Sequence, residues 1–127
     1  MARRKSAPQL SGLEAEVMRE LWRQGEATVR QVLEVLNRGS KARAYTTIMT
    51  IMGRLEAKGA VRRRRNGRSD VYRPVLSREE FAQARARAEV DGLVADYGDV
   101  ALAHFARQLE ELDPARRRQL RKLAEGP

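Results

Sequence analysis

Thr46, Thr47, Met49 and Thr50 are the residues of this chain whose types and spacing most suggest contact chemistry. They lie within residues 42–59. Read as a helix over 45–58, that stretch separates into two faces. Ile48, Ile51, Met52 and Leu55 follow the i, i+3, i+4, i+7 rule of a buried stripe. Thr46, Met49, Thr50 and Gly53 fall on the other side. An exposed helix face in water is usually Glu, Lys and Gln, and Thr is a mediocre helix former, so propensity does not account for this one. Contact with a DNA major groove does. Hydroxyls reach base edges or phosphates, methyl groups meet thymine methyls, and a glycine lets the backbone approach. Arg43 ahead of the helix and Arg54 and Lys58 on its flanks suit phosphates. On these residues alone, an ordinary surface helix with a Thr-rich patch stays open as the alternative.

Other chemistries find little support. The chain has no cysteine, which excludes disulfides, thiolate metal sites and cysteine nucleophiles. His104 is the sole histidine and reads as structural. No nucleophile–base pair, metal-ligand cluster or phosphate-cradling glycine loop is evident, and the carboxylates fall at helix starts and on exposed faces. The expectation is a protein that is not an enzyme and needs no cofactor or metal.

Charge points to a polyanion. The net charge is +9, and it is segregated. Residues 1–76 hold 17 Lys/Arg and 7 Asp/Glu, a net of +10, whereas residues 77–127 hold 9 and 10, a net of −1. Solubility alone would not need such segregation. A length of 127 residues allows one domain or two small ones, and 5% aromatic residues favour helices over a sheet sandwich. No apolar run approaches a signal peptide or a membrane span, so no membrane insertion and a cytoplasmic location are expected.

The elements that must position the Thr face read as follows. Residues 1–9 form a flexible basic arm with Arg3, Arg4 and Lys5. Ser11 and Glu14 make a capping box for a helix over 12–24, ended by Gly25, with Val17, Met18, Leu21 and Trp22 on its apolar face. Thr28 caps a second helix over 29–37, with Val32, Leu33 and Leu36 as its stripe. With the helix over 45–58, this is a helix-turn-helix. Asn66-Gly67 is a hairpin signal between strands over 61–65 and 70–74, which makes the unit a winged helix with a basic wing. Strand alternation puts Arg63 and Arg65 on one face and Arg62 and Arg64 on the other, so at most half of them can meet one DNA backbone. Arg68 at the tip is the preferred phosphate or minor-groove contact.

Ser77 and Glu80 open a long helix to about residue 97. A further helix carries Leu102, Phe105, Leu109 and Leu112 at seam spacing, and Asp113-Pro114 starts a last one with Leu120 and Leu123. About fifty residues with few aromatics bury too little surface alone. Residues 77–127 are therefore read as a dimerisation module using Phe81, Leu93, Val94, Leu102, Phe105, Leu109, Leu112, Leu120 and Leu123. The alternative is a monomer whose tail helices fold back on residues 10–76.

Two segments, residues 10–22 (LSGLEAEVMRELW) and 44–59 (AYTTIMTIMGRLEAKG), followed by the basic hairpin, resemble the penicillinase and methicillin-resistance repressor family. The second is the more specific. The resemblance covers residues 8–76 well and the tail weakly. It implies that the second segment is the recognition helix of a homodimer, which binds an inverted-repeat operator with TACA/TGTA-like half-sites and represses transcription. It also implies an upstream partner, a membrane metalloprotease that senses β-lactam and triggers cleavage of the repressor. Thr46, Thr47 and Thr50 match the family's base-contacting positions best, and Met49 stands where some members are basic. The Asn-Phe bond cut in staphylococcal-type members has its nearest counterpart in His104-Phe105, which keeps the Phe and lacks the Asn. The copper-responsive branch, with its cysteine-rich tail, is excluded.

The expected fold is mainly α, an N-terminal winged helix-turn-helix over 10–76 with a two-stranded basic wing, then a C-terminal helical dimerisation module. The expected function is sequence-specific binding of double-stranded DNA. The DNA set is Arg43, Ala44, Tyr45, Thr46, Thr47, Met49, Thr50, Arg54, Lys58, Arg63, Arg65 and Arg68. The alternative is a winged-helix protein-interaction scaffold or a non-specific nucleic-acid binder, which would need neither the segregated charge nor the Thr face.

Overall fold

The computed structural model describes residues 7–39 and 41–126. The arm residues Arg3, Arg4 and Lys5 lie outside this set. The element order is α1 (Gly12–Gln24), α2 (Val29–Leu36), α3 (Tyr45–Ala57), β1 (Val61–Asn66), β2 (Ser69–Pro74), α4 (Arg78–Tyr97), α5 (Asp99–Glu110) and α6 (Pro114–Glu125). The chain divides into two compact units, residues 1–86 and 87–127.

Local chemistry sets the helix ends. In α1 the Ser11 hydroxyl accepts from the Glu14 N–H, and Glu14 Oε1 accepts from the Ser11 N–H at 2.7 Å. Gly25 ends the helix at φ 87°, a conformation that disfavours any side chain, and its N–H donates to Leu21 O. Thr28 and Gln31 repeat the reciprocal cap for α2. Ser77 and Glu80 do the same at the start of α4.

The core of the first unit forms where the stripes of α1, α2 and α3 meet. Val17, Met18, Leu21, Val32, Ile48, Met52 and Leu55 are fully buried. Each such side chain contributes about 1.5–3 kcal/mol by leaving water. The four stripe residues expected for α3 are all buried. Trp22 sits at the edge of this core and is half-buried. Its Nε1 donates to Leu76 O at 3.0 Å, and its ring meets Phe81 edge-on at 5.1 Å. Those two contacts tie the start of α4 to α1. Ala7, placed in the arm by the sequence reading, is buried, and its carbonyl accepts from Arg85.

β1 and β2 pair antiparallel, with Asn66 opposite Ser69. The loop is therefore Gly67-Arg68, and Asn66 belongs to the strand rather than the turn. Gly67 has φ 65° and Arg68 does not have positive φ, the pattern of a type II′ turn with Gly first. A third strand segment escaped the sequence reading. Ala27 exchanges two backbone hydrogen bonds with Tyr72, at 3.0 and 2.8 Å, so the α1–α2 connection is bonded to the wing.

Glu14 stands at a helix start as expected and is buried there, whereas Glu20 is buried and not on an exposed face. Both carboxylates titrate below their ordinary value, chiefly because cationic side chains donate to them: Lys58 to Glu14, and Arg23 to Glu20.

In the second unit Gly98, at φ 57°, separates α4 from α5, and Asp113 caps α6 by accepting from the Arg116 N–H with Pro114 at the first helical position. Among its described residues Ala101 is the one buried hydrophobic residue. No described helix is long and apolar enough to cross a membrane.

Candidate nucleic-acid interface

The exposed side of α3 is as the helical spacing requires. Tyr45, Thr46, Thr47, Met49, Thr50, Gly53 and Arg54 are exposed, while the stripe behind them is buried. Burial of that stripe against α1 and α2 orients the Thr face outward and makes it rigid. Unlike α1, α2 and α4, α3 begins without a side-chain cap, since Ala44 is its N-cap. Its first N–H groups are thus available to a phosphate, at the positive end of the helix dipole.

The approach to α3 is held by Asn37, which the sequence reading missed. Asn37 Oδ1 accepts from the Arg43 N–H at 2.6 Å, and its Nδ2 donates to Arg43 O at 3.1 Å. This clamps the chain just ahead of Ala44 and sets the entry of α3. An Asn at a helix C-terminus was the visible signal, but its partner six residues on was not. The Arg43 guanidinium turns inward and pairs with Glu16 at 3.0 Å.

A cleft of about 290 Å³ lies between α3, the start of α2 and the wing tip, lined by Tyr45, Met49, Arg30, Arg65 and Arg68 among others. Arg30 places its guanidinium 5.8 Å from the centre of the Tyr45 ring, in a cation–π contact. Arg30 was also missed. Its signal was a cation in the first turn of α2, where the helix dipole disfavours one.

The basic residues of the expected DNA set divide by partner. Lys58 donates to buried Glu14 at 2.7 Å and to Gln9 O at 3.1 Å, so its ammonium locks the end of α3 to the start of α1. Arg63 lies between Glu56 and Asp70 at 3.4 and 3.6 Å, which raises its pKa, Glu56 contributing most. Arg65 pairs with Asp70 at 3.5 Å and donates to Gly67 O. Arg64 is held by Glu26 on the other face. Among the described residues Arg54 and Arg68 have no ion pair, and both are exposed. The wing's alternation is as expected, but its own carboxylates engage more of its arginines than charge counting suggested.

Of the residues assigned to the dimer seam, Phe81 lies in the first unit against Trp22. Leu93, Leu102, Leu109 and Leu123 are exposed, the last at 75%, and Val94, Phe105, Leu112 and Leu120 are half-buried. The His104-Phe105 bond falls in the interior of α5.

Comparison with known proteins agrees with this geometry. The penicillinase repressor family model matches residues 10–126. This chain belongs to the penicillinase repressor family. It is similar to the transcriptional regulator BlaI of Mycobacterium tuberculosis, 39% identical over 125 residues that cover 92% of this chain and 86% of that protein. It is also similar to the penicillinase repressor of Bacillus licheniformis, 30% identical over 84 residues, 66% of this chain and 65% of that one. Among solved structures, it resembles the DNA binding domain of the repressor BlaI, with TM-score 0.52 and 32% identity over 61% of this chain and 93% of that one. A second is the Bacillus licheniformis BlaI monomeric form in complex with the blaP half-operator, with TM-score 0.50 and 31% identity over the same shares. The motifs that carry the resemblance lie within residues 8–76, and the family match runs on through the tail helices to residue 126.

Proposed function

We propose that this member of the penicillinase repressor family is a cytoplasmic DNA-binding transcriptional repressor that acts as a homodimer on an inverted-repeat operator. The observation that carries the DNA reading is the rigid, uncapped, Thr-rich face of α3 beside the unpaired cations Arg54 and Arg68. Thr46, Thr47, Met49 and Thr50 read base edges, while Ala44, Tyr45, Arg54 and Arg68 hold phosphates. Arg43, Lys58, Arg63 and Arg65 shape the domain through their ion pairs and add to its positive field. The half-operator complex of the Bacillus licheniformis relative supports one winged domain per half-site.

The homodimer rests on the second unit. Among its described residues one hydrophobic side chain is buried within the chain, and Leu93, Leu102, Leu109 and Leu123 are exposed. A unit with so small a core gains stability from a partner surface, and a second copy presents the same leucines. Release from DNA by a membrane metalloprotease pathway stays within this reading. Cleavage at His104-Phe105 would first require α5 to open, because a helical peptide bond does not fit an extended protease cleft.

The test is binding of the full chain to operator and to random DNA, across salt. With six to ten phosphate contacts, affinity falls about 10³–10⁵-fold between about 50 and 200 mM salt. Thr46→Ala and Thr50→Ala narrow the gap between operator and random DNA, whereas Arg68→Ala weakens both about equally. If the Thr variants lower both affinities alike, the recognition face is misassigned.

A further inference from the structure

The winged domain has a second basic surface, on the opposite face of the hairpin from α3. Arg63 reaches Glu56 of α3, and Arg65 and Tyr72 line the cleft with Met49, so that face of the wing looks toward the recognition helix. Arg62 and Arg73 are direct cross-strand partners and point the other way. Like charges directly opposite one another destabilise a sheet. Among the described residues neither arginine has an ion pair to offset this.

On that side lies a cleft of about 810 Å³, lined by Arg62 and Arg73, by Arg19 and Arg23 one turn apart on α1, and by Arg78 and Glu79 at the start of α4. Five arginines and one carboxylate therefore share a single concave space. Arg23 is engaged by Glu20. Among the described residues Arg19, Arg62, Arg73 and Arg78 have neither an ion pair nor a side-chain hydrogen bond. Trp22 forms an apolar wall, and its ring is fixed because its Nε1 is committed to Leu76 O.

A scatter of arginines on a convex surface is simply solvated. These converge on a recess within the usual size of small-molecule sites, roughly 300–1,000 Å³. Guanidinium forks bind phosphate and carboxylate groups bidentately, so several of them together select a ligand with several acid groups. A duplex seated on α3 does not fill a recess on the far face of the wing. We propose that this cleft binds a compact polyanion carrying two or more phosphate or carboxylate groups, as an effector site separate from the DNA face. The effector role rests on the DNA reading, whereas occupancy of the cleft is tested without DNA, so the two can fail separately.

The experiment is calorimetric titration of the full chain, free of DNA, with tripolyphosphate and with citrate at about 0.15 M salt. The expected result is one saturable site per chain for at least one probe, and the probe that binds identifies the acid group preferred. Arg62→Gln/Arg73→Gln should weaken that site at least about tenfold, while Arg54→Gln/Arg68→Gln leaves it within about twofold. The first variant should also melt no lower than the parent, because the like-charge pair is gone; this separates a lost site from a lost fold. Absence of a saturable site, or equal weakening by both double variants, would overturn the proposal. So would a loss of operator affinity in Arg62→Gln/Arg73→Gln as large as that in Arg54→Gln/Arg68→Gln, since the cleft would then be part of the DNA surface.

Discussion

Replacing Lys58 by Met separates two roles for one cation. By position in the sequence Lys58 flanks the recognition helix and suits a phosphate. In the structure its ammonium lies 2.7 Å from Glu14 Oε1, and the Glu14 side chain is 3% exposed against 37% for Lys58. Removing one partner of a buried pair typically costs about 3–5 kcal/mol, because the other charge stays buried and unpaired. Water reaches the lysine end, and the Ser11 N–H still serves the carboxylate, so the expected cost is reduced to roughly 1–3 kcal/mol. For a unit of this size that lowers the melting temperature by about 5–15 °C. Chemical and thermal unfolding at fixed protomer concentration measure it. The pH dependence follows from the depressed Glu14 pKa. The carboxylate stabilises the fold above its ordinary value of 4.5, and this contribution is lost as pH falls through the lower, folded-state value. The gap between parent and Lys58→Met should therefore be full at pH 7, begin to shrink near pH 4.5, and close as pH falls through the lower folded-state value. Adding Glu14→Gln to Lys58→Met should recover part of the loss, since no buried charge remains. Operator affinity per folded molecule should change by less than about twofold, with the salt slope intact. The reasoning is refuted if Lys58→Met melts like the parent while its operator affinity falls and its salt slope drops by about one.

Two further outcomes follow from the structure. Asn37→Ala removes both hydrogen bonds to Arg43 and should cost only about 1 kcal/mol of stability, because the site is exposed; it should lower operator affinity more than that, about tenfold, as the entry of α3 loosens, which a binding curve beside a melt will show. For the proposed dimer, Leu109→Asp on the exposed side of α5 should give a monomer by sedimentation and single half-site footprints, whereas a dimer that persists in the variant would remove α5 from the proposed interface.

Much of the interface could be read from local pattern. The caps at Ser11, Thr28, Ser77 and Asp113 act within four residues, so the helix starts were visible in the sequence. The α3 stripe, Ile48 to Leu55, is a matter of helical period, and its exposed complement follows automatically. The wing's face alternation follows from strand period, although its turn lay one residue later than the Asn-Gly signal suggested. The tail's leucines have seam spacing, but periodicity within one chain does not say what, if anything, they pack against.

What local pattern could not supply are ion-pair partners that lie far apart in the chain. Lys58 and Glu14 are 44 residues apart, Arg43 and Glu16 are 27 apart, and Arg64 and Glu26 are 38 apart. Charge counting treats each such cation as free for DNA until the fold brings a carboxylate to it. The same folding step bonds Ala27 to Tyr72, seats Trp22 on Phe81, and gathers arginines from α1, the wing and α4 around one recess. Short-range hydrogen bonding and side-chain period act through neighbours in the chain, so the elements and the exposed Thr face of α3 were already present in the order of residues. Ion pairing and cleft formation act through neighbours in space, so the choice of which arginines stay free belongs to the packed domain.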